Sequence, residues 1–293
     1  MKKKWLIIIL TIVTVMILST LALVHVIGNL ILDRDESAPD EGVGLVEVKG
    51  IILDSQETVK QLRDLQKDDK VKAVVLRIDS PGGVVGPSQE IYDAVKKLNI
   101  KKKVIVSMGS LAASGGYYIA APATEIFANP GTITGSIGVL MKFSNIEGLI
   151  DKIGMKVFTL KAGKFKDVGS PVRTMTNKEK EMLQSVIDST HAQFVKAVAE
   201  GRKLPVEEVG KLANGSIYSG EQAMALKLVD HLGTLQDAVE EAGRLGGIKG
   251  DPELIKPPKK KRGFLDLLVE SASEKISSFA IQEKGLTVNY EMN

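Results

Sequence analysis

The stretch Val71-Lys72-Ala73-Val74-Val75-Leu76-Arg77-Ile78-Asp79-Ser80-Pro81-Gly82-Gly83 decides the fold. Up to Asp79 it is apolar and rich in β-branched residues, the pattern of a strand buried in a sheet. It then stops at Ser-Pro-Gly-Gly, a corner with almost no side chain. A helix is predicted over 87–98, with Pro87 near its start. A second strand-like run, 103–108, leads into another small-residue corner, Ala112-Ala113-Ser114-Gly115-Gly116. A helix over 113–121 follows.

Working outward, 45–48 reads as a strand, Gly50-Ile51-Ile52 follows it, and 58–68 reads as an amphipathic helix. Beyond the second corner come a strand at 125–128, a turn at Asn129-Pro130-Gly131 and a tight segment at Gly135-Ser136-Ile137-Gly138-Val139. A helix at 146–153 and a strand at 156–160 complete this half. Strands alternating with helices at this interval mean βαβ units and a mostly parallel sheet, so the fold class is α/β. The glycine corners at 82–83 and 115–116 then fall at the carboxyl edge of the sheet, where such folds place ligands.

From Thr176 helices dominate. Thr176 with Glu179 is a capping-box signature, and its helix runs to about Glu200. Shorter helices are predicted at 205–213, 219–226 and 234–244. A Gly/Pro/Lys linker at 246–262 leads to an amphipathic tail on which Phe264, Leu265, Leu268, Ala272, Ile276 and Phe279 share one face.

At the other end, Lys2, Lys3 and Lys4 precede a run from Leu6 to Leu32 with no Asp, Glu, Lys or Arg. That length suits a membrane span of ~20 residues. It has no convincing small-x-small cleavage site, so it reads as an uncleaved signal anchor. A cleaved signal peptide is the alternative. The lysines place the N-terminus in the cytoplasm and the body of the protein outside. The expected organisation is a transmembrane segment at 1–32, a linker at 33–44, a catalytic domain at 45–245, and a linker with tail at 246–293.

The composition narrows the chemistry. The chain has 293 residues, 44% of them hydrophobic and 26% charged, with a net charge of +3. That charge is too small to argue for a nucleic-acid partner. Cysteine is absent, which excludes disulfides and thiolate catalysis. His25, His191 and His231 have no partner at metal-ligand spacing, so no metal and no cofactor are expected. None of them sits in a pattern that supports a Ser-His-Asp triad.

Ser114 at a helix start reads first as an N-cap, and also as a nucleophile beside free backbone N–H groups. Its segment alone does not decide. The Gly82-Gly83 corner offers further side-chain-free donors, and two such N–H groups from two loops make an oxyanion hole. Lys161, Lys164 and Lys166 follow a predicted strand. A lysine with lowered basicity can take a serine's proton in place of histidine. Ser136 in its glycine-rich turn could hold that lysine by a hydrogen bond.

Four segments together resemble the signal peptide peptidase A family, Ser-Lys peptidases related to the Clp protease and crotonase folds. They are Ile78-Asp79-Ser80-Pro81-Gly82-Gly83, Ala113-Ser114-Gly115-Gly116-Tyr117-Tyr118, Thr134-Gly135-Ser136-Ile137-Gly138-Val139 and Gly163-Lys164-Phe165-Lys166-Asp167. The resemblance spans roughly 45–245. It implies repeated β-β-α units, Ser114 as nucleophile, Lys166 as general base and Ser136 as the residue orienting the lysine. It also implies the backbone N–H groups of Gly83 and Gly115 as oxyanion donors. Phe165 stands where the family more often has tyrosine. The chain is similar to the short form of the family. That form implies a membrane-tethered homo-oligomeric ring, with each site built within one chain or completed by a neighbour. Remnant signal peptides are the implied peptide substrates. A membrane protease of the stomatin-associated type, a crotonase-type acyl-CoA enzyme and a non-catalytic ring scaffold are the rival readings.

Overall fold

The computed structural model describes residues 2–32 and 41–257. The predicted tail helix and most of the linker at 33–44 lie outside them. Helix α1, Lys2–Leu32, contains the stretch Ile7–His25 with mean hydropathy 2.8, long and apolar enough to cross a membrane.

The body follows the alternation read from the sequence. In order it contains β1 (Gly42–Lys49), α2 (Gln56–Lys67), β2 (Val71–Ser80), α3 (Val85–Lys101), β3 (Lys103–Ala113), α4 (Gly115–Ala120), β4 (Glu125–Ala128) and β5 (Ile133–Gly135). Next come α5 (Glu147–Lys152), α6 (Asn177–Arg202), α7 (Val206–Leu212), β6 (Ile217–Ser219), α8 (Gly220–Ala225), β7 (His231–Leu232), α9 (Leu235–Gly246) and β8 (Leu254–Ile255). The sheet order is β6-β5-β3-β2-β1-β8, with β4 beside β3 and β7 beside β4. All pairs are parallel except β5 with β6. This is an α/β fold on a mostly parallel sheet.

Strand periodicity explains the layers. Side chains alternate between faces. Val74, Leu76 and Ile78 of β2 enter the large core shared with α2, α3, α4 and α6. Ala73 and Val75 face the other way, into a smaller core with Ala238, Val239 and Ala242 of α9. Both faces are therefore covered, as the unbroken apolar run requires. Tyr92, Tyr118 and Phe194 tie α3, α4 and α6 together, with ring centroids 5.0 Å and 4.9 Å apart.

The structure departs from the sequence reading in several places, among them Gly42–Gly44, read as linker and found in β1. No strand forms at 156–160. Val157, Phe158 and Leu160 are exposed there, Leu160 fully at 100%. Strand pairing needs a neighbouring edge, and the described residues offer none at this place. Conversely, the stretch read as a linker from Gly246 contains β8, which pairs with Val43 and Gly44 of β1.

Candidate active site

The site grows from the ends of β2, β3 and β5. β3 runs on past its pairing with β4 and takes β5 as a second neighbour, in the register Ala113↔Gly135. Buried threonines fix that register: Thr132 Oγ1 donates to the Gly109 carbonyl and Thr134 Oγ1 to the Ala112 carbonyl, each at 2.7 Å. Ser114 and Ser136 are the next residues on the two strands. The Ser114 N–H donates to the Gly135 carbonyl at 2.9 Å, and the Ser136 N–H to the Ser216 carbonyl at 2.8 Å. The two serines thus leave adjacent strands side by side.

Both leave in a strained conformation. Ser114 has φ 52° and ψ −120°, and Ser136 has φ 50°. Positive φ is uncommon outside glycine, asparagine and aspartate, and such strain clusters at functional sites. At Ser114 it turns the chain from β3 into α4 within one residue. Ser114 makes no side-chain cap to α4, so its hydroxyl is not used as an N-cap.

The Gly82-Gly83 corner lies against this turn. Ser80, fully buried at the end of β2, accepts the Gly82 N–H on its Oγ at 3.1 Å. Ile52 bridges to Gly83 by donating to the Gly82 carbonyl (2.9 Å) and accepting from the Val84 N–H (2.8 Å). That pattern leaves the Gly83 N–H directed away from Ile52. A Cβ on Gly115 would lie 3.1 Å from the Gly83 nitrogen and 2.7 Å from Ser88 Oγ; one on Gly82 would lie 2.5 Å from the Gly115 nitrogen. Only glycines permit this approach. As the first residue of α4, Gly115 has an N–H with no partner in its own helix. Ser114, Ser136, Gly83 and Gly115 are therefore brought together.

Lys166 makes no side-chain hydrogen bond to any of them. It lies in an exposed turn, and among the described residues its Nζ has no hydrogen-bond or ion-pair partner. Its neighbour Asp167 is held by Arg173 and Lys161. The Arg173 and Lys161 hydrogen bonds keep the Asp167 carboxyl well below the usual carboxylate range. Glu179, buried at the start of α6, is held down to about 2 by Arg173 and then by the Thr176 N–H. The turn is braced further by the Ile146 N–H on the Pro171 carbonyl at 2.7 Å, and by the Phe143 ring packed on Gly169.

The histidines serve elsewhere. His191 Nε2 meets the Ala213 carbonyl at 2.7 Å, and His231 Nε2 meets Glu125 at 3.1 Å. Among the described residues no group of three or more His, Asp or Glu could hold a metal ion. The sequence reading missed the supporting roles of Ser80, Ser88 and Arg173. A serine directly before Pro-Gly-Gly carries a turn signal. An arginine three residues before a capping box carries none.

Comparison with known proteins adds lineage to this geometry. A model of peptidase family S49 matches residues 96–249, which include Ser114, Ser136 and Lys166. A Clp protease model matches residues 52–132, which include Gly83, Ser114 and Gly115. A Synechocystis protein named as a candidate protease is 44% identical over 215 residues, 73% of this chain and 76% of its own length. A similarly named protein of Methanocaldococcus jannaschii is 46% identical over 202 residues, 69% of this chain and 65% of its own. A candidate signal peptide peptidase of Enterococcus faecium is 36% identical over 222 residues, 70% of this chain and 64% of its own. The chain thus spans just under two thirds of the latter two relatives.

Proposed function

The chain belongs to peptidase family S49, and we propose that it is a membrane-anchored serine endopeptidase with a Ser114–Lys166 dyad. The observation that carries this reading is the strained Ser114 corner packed against two glycine N–H groups. Ser114 Oγ attacks the scissile carbonyl of an extended peptide and its proton passes to Lys166. The carbonyl oxygen, now negative, is held by the N–H groups of Gly83 and Gly115, each worth about 3–4 kcal/mol in the transition state. The tetrahedral intermediate collapses to an acyl-serine as Lys166 protonates the leaving amine. Water, deprotonated by Lys166, then attacks the acyl-serine, and Lys166 returns the proton to Ser114 Oγ as the new carboxylic acid leaves. Ser136 accepts or donates a hydrogen bond that holds the lysine in line. The Clp protease match supports a fold of the Clp and crotonase lineage with repeated β-β-α units.

The apolar residues leading to Lys166 support a homo-oligomeric ring. Leu149, Ile153, Met155, Val157, Phe158, Leu160 and Phe165 are all exposed on one stretch of chain, and large exposed apolar patches mark interaction sites. Packing this arm on a neighbouring copy buries that surface, and a lysine carried on the arm then completes a site across the interface. Helix α1 and the name of the Enterococcus relative support signal peptides left in the membrane as substrates. The lysines at 2–4 support a single span with the body outside the cytoplasm.

The test is labelling of the full chain in detergent with a fluorophosphonate, mapped by mass spectrometry. An adduct on Ser114 is expected, and Ser114→Ala and Lys166→Ala each abolish cleavage of a signal-peptide substrate. Mixing the two inactive variants restores part of the activity if the dyad spans two copies. No adduct, or full activity in Lys166→Ala, overturns the reading and favours a scaffold or a different base.

A further inference from the structure

The turn that carries Lys166 is held by one guanidinium. Arg173 Nε donates to Asp167 Oδ2 at 2.9 Å, and Nη2 donates to the Asp167 carbonyl at 3.2 Å. The same group reaches both oxygens of Glu179, with Nη1 at 2.9 Å and Nη2 at 2.5 Å. Glu179 is fixed in turn, because its Oε2 accepts the Thr176 N–H at 2.8 Å and caps α6. Lys161 Nζ takes the other oxygen of Asp167. Both oxygens of the carboxylate next to Lys166 in sequence are therefore occupied by cations.

That occupancy has a chemical consequence. A carboxylate left free beside a lysine favours the charged ammonium. A lysine that must accept a proton works only in its neutral form. We propose that Arg173 is a positioning residue for the general base: it clamps the 161–174 turn to α6 and, with Lys161, keeps the Asp167 carboxylate from pairing with Lys166. This rests on Lys166 being the base.

The other charged groups around Asp167 do not replace the clamp. Lys164 sits over the Phe165 ring, 5.6 Å from its centroid. Glu147 of α5 accepts from Thr174 Oγ1 at 2.6 Å. Glu179 faces Asp167 from α6 across the shared guanidinium, so losing Arg173 leaves Asp167 with Lys161 and Glu179 with Thr176.

The experiment measures kcat/KM against pH for the full chain with a fluorogenic peptide. In Arg173→Gln the acidic limb of the profile moves up by about one pH unit. In Arg173→Lys it stays near the wild type, since a cation remains. Adding Asp167→Asn to Arg173→Gln brings the limb back, which a purely structural role for Arg173 would not do. If Arg173→Gln does not assemble, Lys161→Gln decides: that side chain is partly exposed and touches only Asp167, and its loss moves the limb the same way by less. A limb unmoved in these variants, or one that Asp167→Asn fails to restore, overturns the proposal. Lys166→Ala separates the two levels. Full activity there overturns the base itself, whereas an inactive Lys166→Ala with an unmoved limb in Lys161→Gln overturns only the clamp.

Discussion

The two halves of the proposed dyad are built in opposite ways. Ser114 sits where three strand ends meet, with buried glycines on one side and threonine-locked strands on the other. Every group that fixes it comes from residues 52–136 of the same chain. Lys166 sits on a surface turn whose hydrogen bonds go to its own ends, to α6 and to the start of α5, and whose Phe165 is exposed. The serine half is a finished piece of one fold. The lysine half is rigid within itself and open towards something else. Rigidity of a turn and completion of a site are separate properties, and the hydrogen bonds of this turn speak for the first alone.

The sharpest way to break the comparison is at the finished half. A Cβ on Gly83 would lie 2.1 Å from the Ile52 carbonyl oxygen, so Gly83→Ala must displace the bridge and the N–H it carries. About 100-fold or more of kcat is expected to go, the usual effect of losing one oxyanion donor. Gly86→Ala, three residues on, meets nothing within 4 Å and is the matched control, with activity unchanged. Steady-state kinetics on both variants decide it; equal activity in the two would mean that the corner has no catalytic use.

The open half predicts the reverse pattern. Phe158→Asp combined with Leu160→Asp alters side chains that are 84% and 100% exposed, so the fold of one copy should change by less than about 0.5 kcal/mol. Assembly should fail, and activity should fall with it. Sedimentation in detergent beside thermal melting reads both quantities. An intact oligomer would move the interface elsewhere and leave the arm unexplained.

How much of this was legible in the sequence follows the same division. The strands β2 and β3, the glycine corners and the capping box at Thr176 were readable because each rests on neighbours in the chain. β5, β6, β7 and β8 are two or three residues long and exist only because β3, β5, β4 and β1, respectively, offer edges to them, so no local pattern marks them. The alternation of Val157, Phe158 and Leu160 imitates a strand for the opposite reason: the apolar residues are present and the edge is not. The juxtaposition of Ser114 with Ser136 needed the β3–β5 register, which is a tertiary fact. The capping boxes at Ser219 with Gln222 and Thr234 with Asp237 carry the same local signal as the one at Thr176.

The smallest predicted effect concerns the strain at Ser114, which no residue type announces. Hydrogen bonds on both sides hold it: its N–H is tied to Gly135, and its carbonyl accepts the Tyr118 N–H at 2.8 Å. A residue with a Cβ in such a conformation costs on the order of 1–3 kcal/mol, and glycine removes most of that while making the unfolded chain more flexible by about 0.4–1 kcal/mol. Ser114→Gly and Ser114→Ala both lack the nucleophile, so neither carries activity and the comparison isolates the backbone. The glycine variant should melt about 2–4 °C above the alanine variant, the shift that roughly 1 kcal/mol gives in a domain of this size. An alanine variant that melts as high or higher would mean that the turn is relaxed at Ser114. The finished half would then owe its geometry to packing alone, with no strain held at the serine.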